Sequence, residues 1–424
     1  MEKAPKSLRL HIGLFGRTNT GKSSYLNMIT GQSVSITSPF CGTTTDVVEK
    51  TMELLPLGPV VFLDTAGMDD TSPLGITRVE KTKKALASSD IALLILENGI
   101  WSEYEQTLLD ACTLQKTPVI LIVNKIDQAP PDGKWLERLQ SFSVPVLVAS
   151  CCDGNRERYI MDLKKALIEL CPEDYLSSDS ILCDLLPPTK DDLPLVVLIV
   201  PVDMQAPKGR LILPQVQSIR DCLDHNAAVS VVTSEDYPRF LTMLNTLPDL
   251  VVCDSQVVDQ MVKDTPPSVA CTTFSILFSR FKGNIEVLAE GSGRLSNLRE
   301  GDAVLIAEAC SHHPMQDDIG RVKIPRWIEE NCGPGILIDS CAGKDYPTDL
   351  EKYSLIIHCG GCTLTRREML WRIEQARAKH IPITNYGIAI SVLRGVVERT
   401  LSPFPDALLA YKKTLIAVDS KDLG

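Results

Sequence analysis

Two clusters of residues in this 424-residue sequence have the types and spacing to do chemistry. Towards the C-terminal end, Cys310-x-His312 is followed at long range by His358-Cys359-Gly360-Gly361-Cys362. At the other end, Gly16-Arg17-Thr18-Asn19-Thr20-Gly21-Lys22-Ser23 fits the phosphate-binding pattern G-x-x-x-x-G-K-[ST]. A dithiol redox pair would use Cys359 and Cys362 alone and would leave Cys310 and the histidines unexplained. Three sulfurs and one nitrogen suit tetrahedral zinc. Three thiolates with an exchangeable fourth ligand suit an iron–sulfur cluster equally well. Spacing leaves those two readings open.

The N-terminal cluster is less ambiguous, because further motifs follow it in order. The apolar run before Gly16 reads as a strand and the run after Ser23 as a helix, the context in which backbone N–H groups wrap phosphates. In that frame Lys22 reaches the β- and γ-phosphates and Ser23 binds magnesium. A strand then ends at Asp64, whose carboxylate can hold the magnesium shell, and Gly67 can offer its N–H to the γ-phosphate. A later strand delivers Asn124, Lys125 and Asp127. A carboxylate at Asp127 can accept both hydrogens of the guanine N1 and N2 edge, a donor pair that adenine lacks, so GTP is favoured. "SPFCGTTTDVV" is the place for a switch segment, with Thr44 as the magnesium threonine.

The elements that must position these residues alternate between strand and helix throughout, which implies parallel sheets. The expected architecture is α/β with three domains: a P-loop GTPase domain over 1–175 and two smaller parallel-sheet domains over 190–265 and 266–424. "DLLPPTKDDLP" reads as a linker. The middle domain carries no catalytic constellation. Lys208 and Arg210 in its "APKGRLI" loop read as a solvated turn, and its place between two chemically equipped domains suggests dimerisation. In the last domain the strands end at Cys310, Cys341 and Cys359, and an open parallel sheet gathers its ligands at such ends. Cys362 is expected at the start of a helix, where the dipole favours a thiolate.

Bulk properties narrow the field. The net charge of −11 argues against a general nucleic-acid binder. No apolar run reaches membrane-spanning length, and the N-terminus shows no signal-peptide core, so a cytoplasmic location is expected. Fourteen cysteines in such a chain read as reduced thiols. Cys112, Cys171, Cys253 and Cys332 read as packing, and the adjacent Cys151 and Cys152 as structural or incidental.

Over roughly the first 170 residues the motifs resemble the translation-factor-like GTPases, the group with the tRNA-modification GTPase MnmE and the ribosome-assembly GTPase Era. The residue after "DTAG" is Met68, so the usual water-orienting glutamine is missing. In MnmE-like members an asparagine at the place of Asn19 helps hold potassium, so the resemblance implies slow, potassium-stimulated hydrolysis. "LVASCCDGN", around Ala149 and Ser150, stands where relatives have Ser-Ala-Lys and names no guanine-binding side chain.

With its Cys/His pattern included, nearly the whole chain resembles the HydF family of FeFe-hydrogenase maturation GTPases. "APKGRLILPQVQ" and "CSHHPMQDDIGRVKIPRW" also fit that family. The resemblance implies a 4Fe-4S cluster on Cys310, Cys359 and Cys362. The fourth position would be weakly held by His312, His358, Asp317 or solvent, with His313 a hydrogen-bonding neighbour. It further implies a transient di-iron precursor with CO and CN ligands, radical-SAM maturation partners that build it, and delivery to apo FeFe-hydrogenase. Two other classes are expected to behave differently. An RNA-linked GTPase with structural zinc would co-purify with RNA, and a GTP-regulated thiol redox enzyme would keep activity in Cys310→Ser.

Overall fold

A computed structural model describes residues 9–31, 48–54, 57–65, 85–171, 180–188, 193–202, 211–309, 318–343, 346–347 and 349–419. The chain forms two compact units, Met1–Ser178 and Asp179–Gly424.

The first unit is built on β1 (Leu10–Phe15), β2 (Val48–Leu54), β3 (Gly58–Asp64), β4 (Ile91–Glu97), β5 (Val119–Asn124) and β6 (Val146–Val148). They form one sheet in the order β2-β3-β1-β4-β5-β6, with only β2 antiparallel to its neighbour. Every residue of β1 and β5 is buried, as expected for parallel strands covered on both faces, and this is why they read as unbroken apolar runs. Apolar side chains of alternate parity, Ile12 and Leu93 on one face and Leu94 and Leu121 on the other, supply two separate cores. The parallel register sets Leu14 beside Asp64 and Glu97 beside Asn124, so the ends of β1, β3 and β5 share one edge.

The second unit holds two four-stranded, wholly parallel sheets. The first contains β7 (Leu195–Ile199), β8 (Ala228–Val232), β9 (Leu250–Cys253) and β10 (Ala270–Thr273), in the order β10-β9-β7-β8. The second contains β11 (Ala303–Glu308), β12 (Leu337–Ala342), β13 (Leu355–His358) and β14 (Ile383–Asn385), in the order β12-β11-β13-β14. The two sheets are not separately cored. Val196 and Leu198 of the first and Leu305 and Ile356 of the second belong to one apolar cluster that includes Phe274, Leu277 and Phe278. Those aromatic and aliphatic groups lie on the helix Phe274–Lys282, whose N-cap Thr273 accepts from Ile276 N–H.

Two boundaries differ from the sequence expectation. The middle sheet runs past residue 265, because the short strand "ACTT" pairs with β9. The stretch expected as a linker begins inside the second unit: its first residues, Asp184 and Leu185, belong to the short 3-10 turn Cys183–Leu185.

Candidate functional site

The nucleotide loop is shaped by local backbone. Gly16 (φ 148°), Asn19 (φ 64°) and Gly21 (φ 94°) all have positive φ, and Asn19 is a residue type that tolerates it. A Cβ on Gly16 would lie 2.4 Å from the Ile95 carbonyl oxygen, and one on Gly21 would lie 2.3 Å from Asn124 Nδ2. The helix Lys22–Thr30 starts at Gly21, so its first N–H groups face the loop. Lys22 is buried. Its ammonium donates to the carbonyls of Gly16 (2.8 Å) and Arg17 (2.6 Å), which centres its charge in the loop. Thr20 donates to the Arg17 carbonyl at 3.0 Å, and Thr18 and Asn19 lie in the same turn.

Ser23 donates to Asp64 Oδ2 at 2.8 Å. A hydroxyl and a fully buried carboxylate are therefore in contact at the ends of β1 and β3, and a hard divalent cation takes this kind of oxygen pair. Asn124 donates through Nδ2 to the Thr20 carbonyl (2.9 Å), tying the guanine motif to the phosphate loop. Lys125 has φ 60° and pairs with Glu97 at 3.5 Å. Thr44, Gly67 and Met68 lie outside the described residues.

Several side chains in this unit were not singled out from sequence. Ser150 donates to Asp127 Oδ1 at 2.6 Å and so orients the carboxylate expected to read guanine. The loop is also braced from the side: Gly16 N–H donates to the Tyr104 hydroxyl (3.1 Å), and Arg17 pairs with the buried Glu105 (2.9 Å). Ser102 and Glu105 form a capping box on the helix Glu103–Leu114, a pattern legible as S-x-x-E in "SEYE". Cys151 contacts Asn124 Oδ1 at 3.7 Å, and burial raises its pKa to about 11, so it is a neutral neighbour of the site.

The cysteine site lies at the carboxyl edge of the last sheet. Cys359 follows β13 directly. Its N–H donates to the Ala307 carbonyl (2.9 Å), and its sulfur accepts from Ala309 N–H (3.0 Å). Ala309 is the residue before Cys310 in the chain. Cys310, His312, His313 and Asp317 lie outside the described residues, as do Lys208 and Arg210 of the middle region. Gly361 has φ 63°, in the left-handed region that favours glycine, and a Cβ there would have to displace Met369 Cε, 2.4 Å away.

Lys282, on the helix Phe274–Lys282, is buried with 1% exposure and donates to the carbonyls of Gly361 (3.0 Å), Cys362 (2.9 Å) and Leu364 (2.8 Å). Burial lowers its pKa to about 8, against the opposing pull of the Cys362 and Cys359 thiols. A buried cation beside two thiols, on a turn whose backbone favours glycine at 361, is a setting that fits a thiolate-bound metal cluster.

One expectation about this site is corrected. Cys362 does not open a helix: the helix is Arg366–Ala378 with Thr365 as its N-cap. Cys362 sits in the preceding turn, where burial raises its pKa and Lys282 opposes the rise. Both ring nitrogens of His358, read from sequence as a possible fourth ligand, have partners within the protein. His358 is fully buried, its Nδ1 is 2.7 Å from the Cys359 carbonyl, and its Nε2 is 3.0 Å from Arg372 Nη1. Burial and the Arg372 charge lower its pKa to about 3, so it is a neutral acceptor for the guanidinium. Arg372 also donates to the Gly343 carbonyl (2.7 Å), so it ties the ends of β12 and β13 together. Cys341 is level with Ala307 on edge strand β12, two strands away from Cys359. Cys112, Cys171 and Cys253 are buried, and Cys332 packs against the core and contacts the Leu295 carbonyl (3.2 Å).

Three family models match the chain: a 50S ribosome-binding GTPase over residues 11–125, the hydrogen maturase F dimerization domain over 181–283, and the hydrogen maturase F tetramerization domain over 286–403. The chain belongs to the HydF family. Relatives outside it match part of the chain. GTPase Era of Nostoc sp. is 27% identical over 244 residues, covering 56% of this chain and 69% of its own. A tRNA modification GTPase MnmE of Synechococcus sp. is 32% identical over 161 residues, 38% of this chain and only a third (33%) of its own length. Among solved structures, a point variant of Aquifex aeolicus Era bound to GDP.AlF4- aligns over 55% of this chain and 98% of its own, at 19% identity and a TM-score of 0.34. No helix among the described residues is long and apolar enough to cross a membrane.

Proposed function

We propose that this HydF-family GTPase binds a 4Fe-4S cluster through Cys310, Cys359 and Cys362, carries a di-iron CO/CN precursor, and transfers it to apo FeFe-hydrogenase. The observation that carries this reading is the site at the end of β13. Cys359 and Cys362 lie on a glycine-favouring turn held by the buried ammonium of Lys282, and Cys359 takes an N–H bond from the residue that precedes Cys310. The cluster would supply an anionic iron–sulfur surface with one exchangeable position. His312, Asp317 or solvent would complete it, since the ring nitrogens of His358 are already engaged.

GTP binds at Gly16–Ser23 and Gly67, with Ser23, Thr44 and Asp64 around Mg2+ and Asn124, Lys125 and Asp127 on guanine. Asn19 holds K+, which stimulates hydrolysis. GTP binding and hydrolysis gate the conformation or partner contacts and do not perform the cluster chemistry. The radical-SAM maturation partners supply the precursor. The chain works as a homodimer through the middle sheet, in a cytoplasmic setting. Support for the dimer is the matched dimerization domain and the position of β8 at the end of its sheet, with Val231 43% exposed.

The test is transfer. Wild type and Lys22→Ala, loaded with precursor, are mixed with apo-hydrogenase, and hydrogen evolution is followed with and without GTP and K+. Gating predicts slower activation by Lys22→Ala. Equal rates with GTP present would end the gating claim and leave the carrier role standing.

A further inference from the structure

A second group of metal-binding side chains lies outside the Cys359 site, in the region matched by the dimerization domain. Cys183, Asp221 and His225 each place one ligand-type atom within 4.8 Å of the others. The three residues come from two segments. Cys183 opens the turn Cys183–Leu185, while Asp221 lies in the last turn of the helix Leu213–Asp224 and His225 is its C-cap. Cys222, next to Asp221, is fully buried in the apolar core and stands outside the group.

The carboxylate of Asp221 organises the cluster. Its Oδ2 accepts from Ser180 Oγ (2.9 Å), Leu182 N–H (2.9 Å) and Cys183 N–H (3.1 Å). Its Oδ1 lies 3.4 Å from His225 Nδ1. One carboxylate would suffice to anchor the turn, and anchoring does not require a thiol and an imidazole at the same point. The nearest turn cation is already committed, because Arg280 pairs with Asp184 and donates to the Ile181 carbonyl.

We infer that Cys183, Asp221 and His225, with solvent in the fourth position, form a tetrahedral site for a thiophilic divalent cation of the zinc class. One sulfur, one imidazole nitrogen and one carboxylate oxygen are a donor set that such an ion takes in preference to magnesium or calcium. Binding releases the thiol proton and leaves the oxidation state unchanged. It costs the contact between His225 Nδ1 and the Asp221 carbonyl (2.9 Å) if that nitrogen becomes the ligand. The ion would staple residues 180–185 to the end of the helix Leu213–Asp224, at the point where the second unit begins.

The experiment is an anaerobic titration of the full chain with cobalt(II) chloride. It is run on wild type in parallel with Cys359→Ser/Cys362→Ser, which silences the other thiol site. Thiolate ligation shows as near-ultraviolet charge transfer, and tetrahedral geometry as intense visible d–d bands. The site predicts about one tetrahedral cobalt per chain in the double variant, displaced by zinc chloride. Adding Cys183→Ser should abolish the charge-transfer band, and His225→Ala should weaken binding at least about tenfold. His225 is 38% exposed, so that substitution leaves the fold intact and keeps the test decisive if the serine variant is unstable. A double variant with no tetrahedral spectrum would overturn the site. So would a spectrum unmoved by both Cys183→Ser and His225→Ala.

Discussion

The nucleotide site and the cysteine site are both built at the carboxyl ends of parallel strands, yet they hold their ligating groups in opposite ways. The phosphate loop is contiguous. Eight residues carry the pattern, three of them at positive φ, and the helix that follows supplies the remaining N–H groups. The cysteine site is assembled from distant segments. Cys359 meets Ala309 across 50 residues, and Lys282 reaches the Gly361–Leu364 turn across about 80. A contiguous site draws its accuracy from backbone dihedrals. An assembled one draws it from strand register and from buried side chains that tie the segments together.

This difference can be broken open by mutation. Lys22→Ala should lower GTP turnover on the order of 10²–10³-fold with no change in iron content, because the loop's shape is local. Steady-state phosphate release and iron assay on the same preparation would check both. Lys282→Met should do the reverse. It leaves three buried carbonyls without a donor, costing about 3 kcal/mol in the second unit, and it lowers iron retention while GTP turnover holds. A urea midpoint shift confined to that unit, with falling iron content, is the expected readout.

The ordinary thiols sharpen the contrast. Burial raises the Cys271 pKa from 9.0 to about 11, partly offset by Arg399. The unfolded chain therefore loses this proton first, so the stabilisation is complete below pH 9 and drains away as pH rises towards 11. The fall is worth about 3 kcal/mol at its end and should be shallower in Cys271→Val, measured as urea midpoints from pH 8 to 11. The smallest change is Ser150→Ala. It removes the hydrogen bond that orients Asp127 and should raise the GTP dissociation constant about fivefold, roughly 1 kcal/mol, with little effect on maximal turnover.

The legibility of the two sites follows the same division. Strands β1, β5, β11 and β13 were readable as apolar runs, and the loop from Gly16 to Ser23 as a motif, because each is written in consecutive residues. Lys282, Arg372 and Ser150 were not, since nothing in their local sequence marks a side chain whose partners lie 14 to 82 residues away. The helix dipole expected at Cys362 failed for a local reason: Thr365, not Cys362, supplies the cap, and the helix starts one residue later at Arg366. His358 adjoins Cys359 in sequence, and its contact with Arg372, 14 residues away, was not legible there. The end of the middle sheet was misplaced because "ACTT" is too short a run to declare itself a strand.

The most direct measurement is iron and sulfide content, with EPR spectra of the reduced protein, on wild type and Cys359→Ser purified without oxygen. A cluster on Cys310, Cys359 and Cys362 predicts about four irons and four sulfides per wild-type chain, an EPR signal of a reduced 4Fe-4S centre, and loss of both in the variant. Wild type carrying zinc at that site and no iron would contradict the carrier role and favour a GTPase with a structural metal.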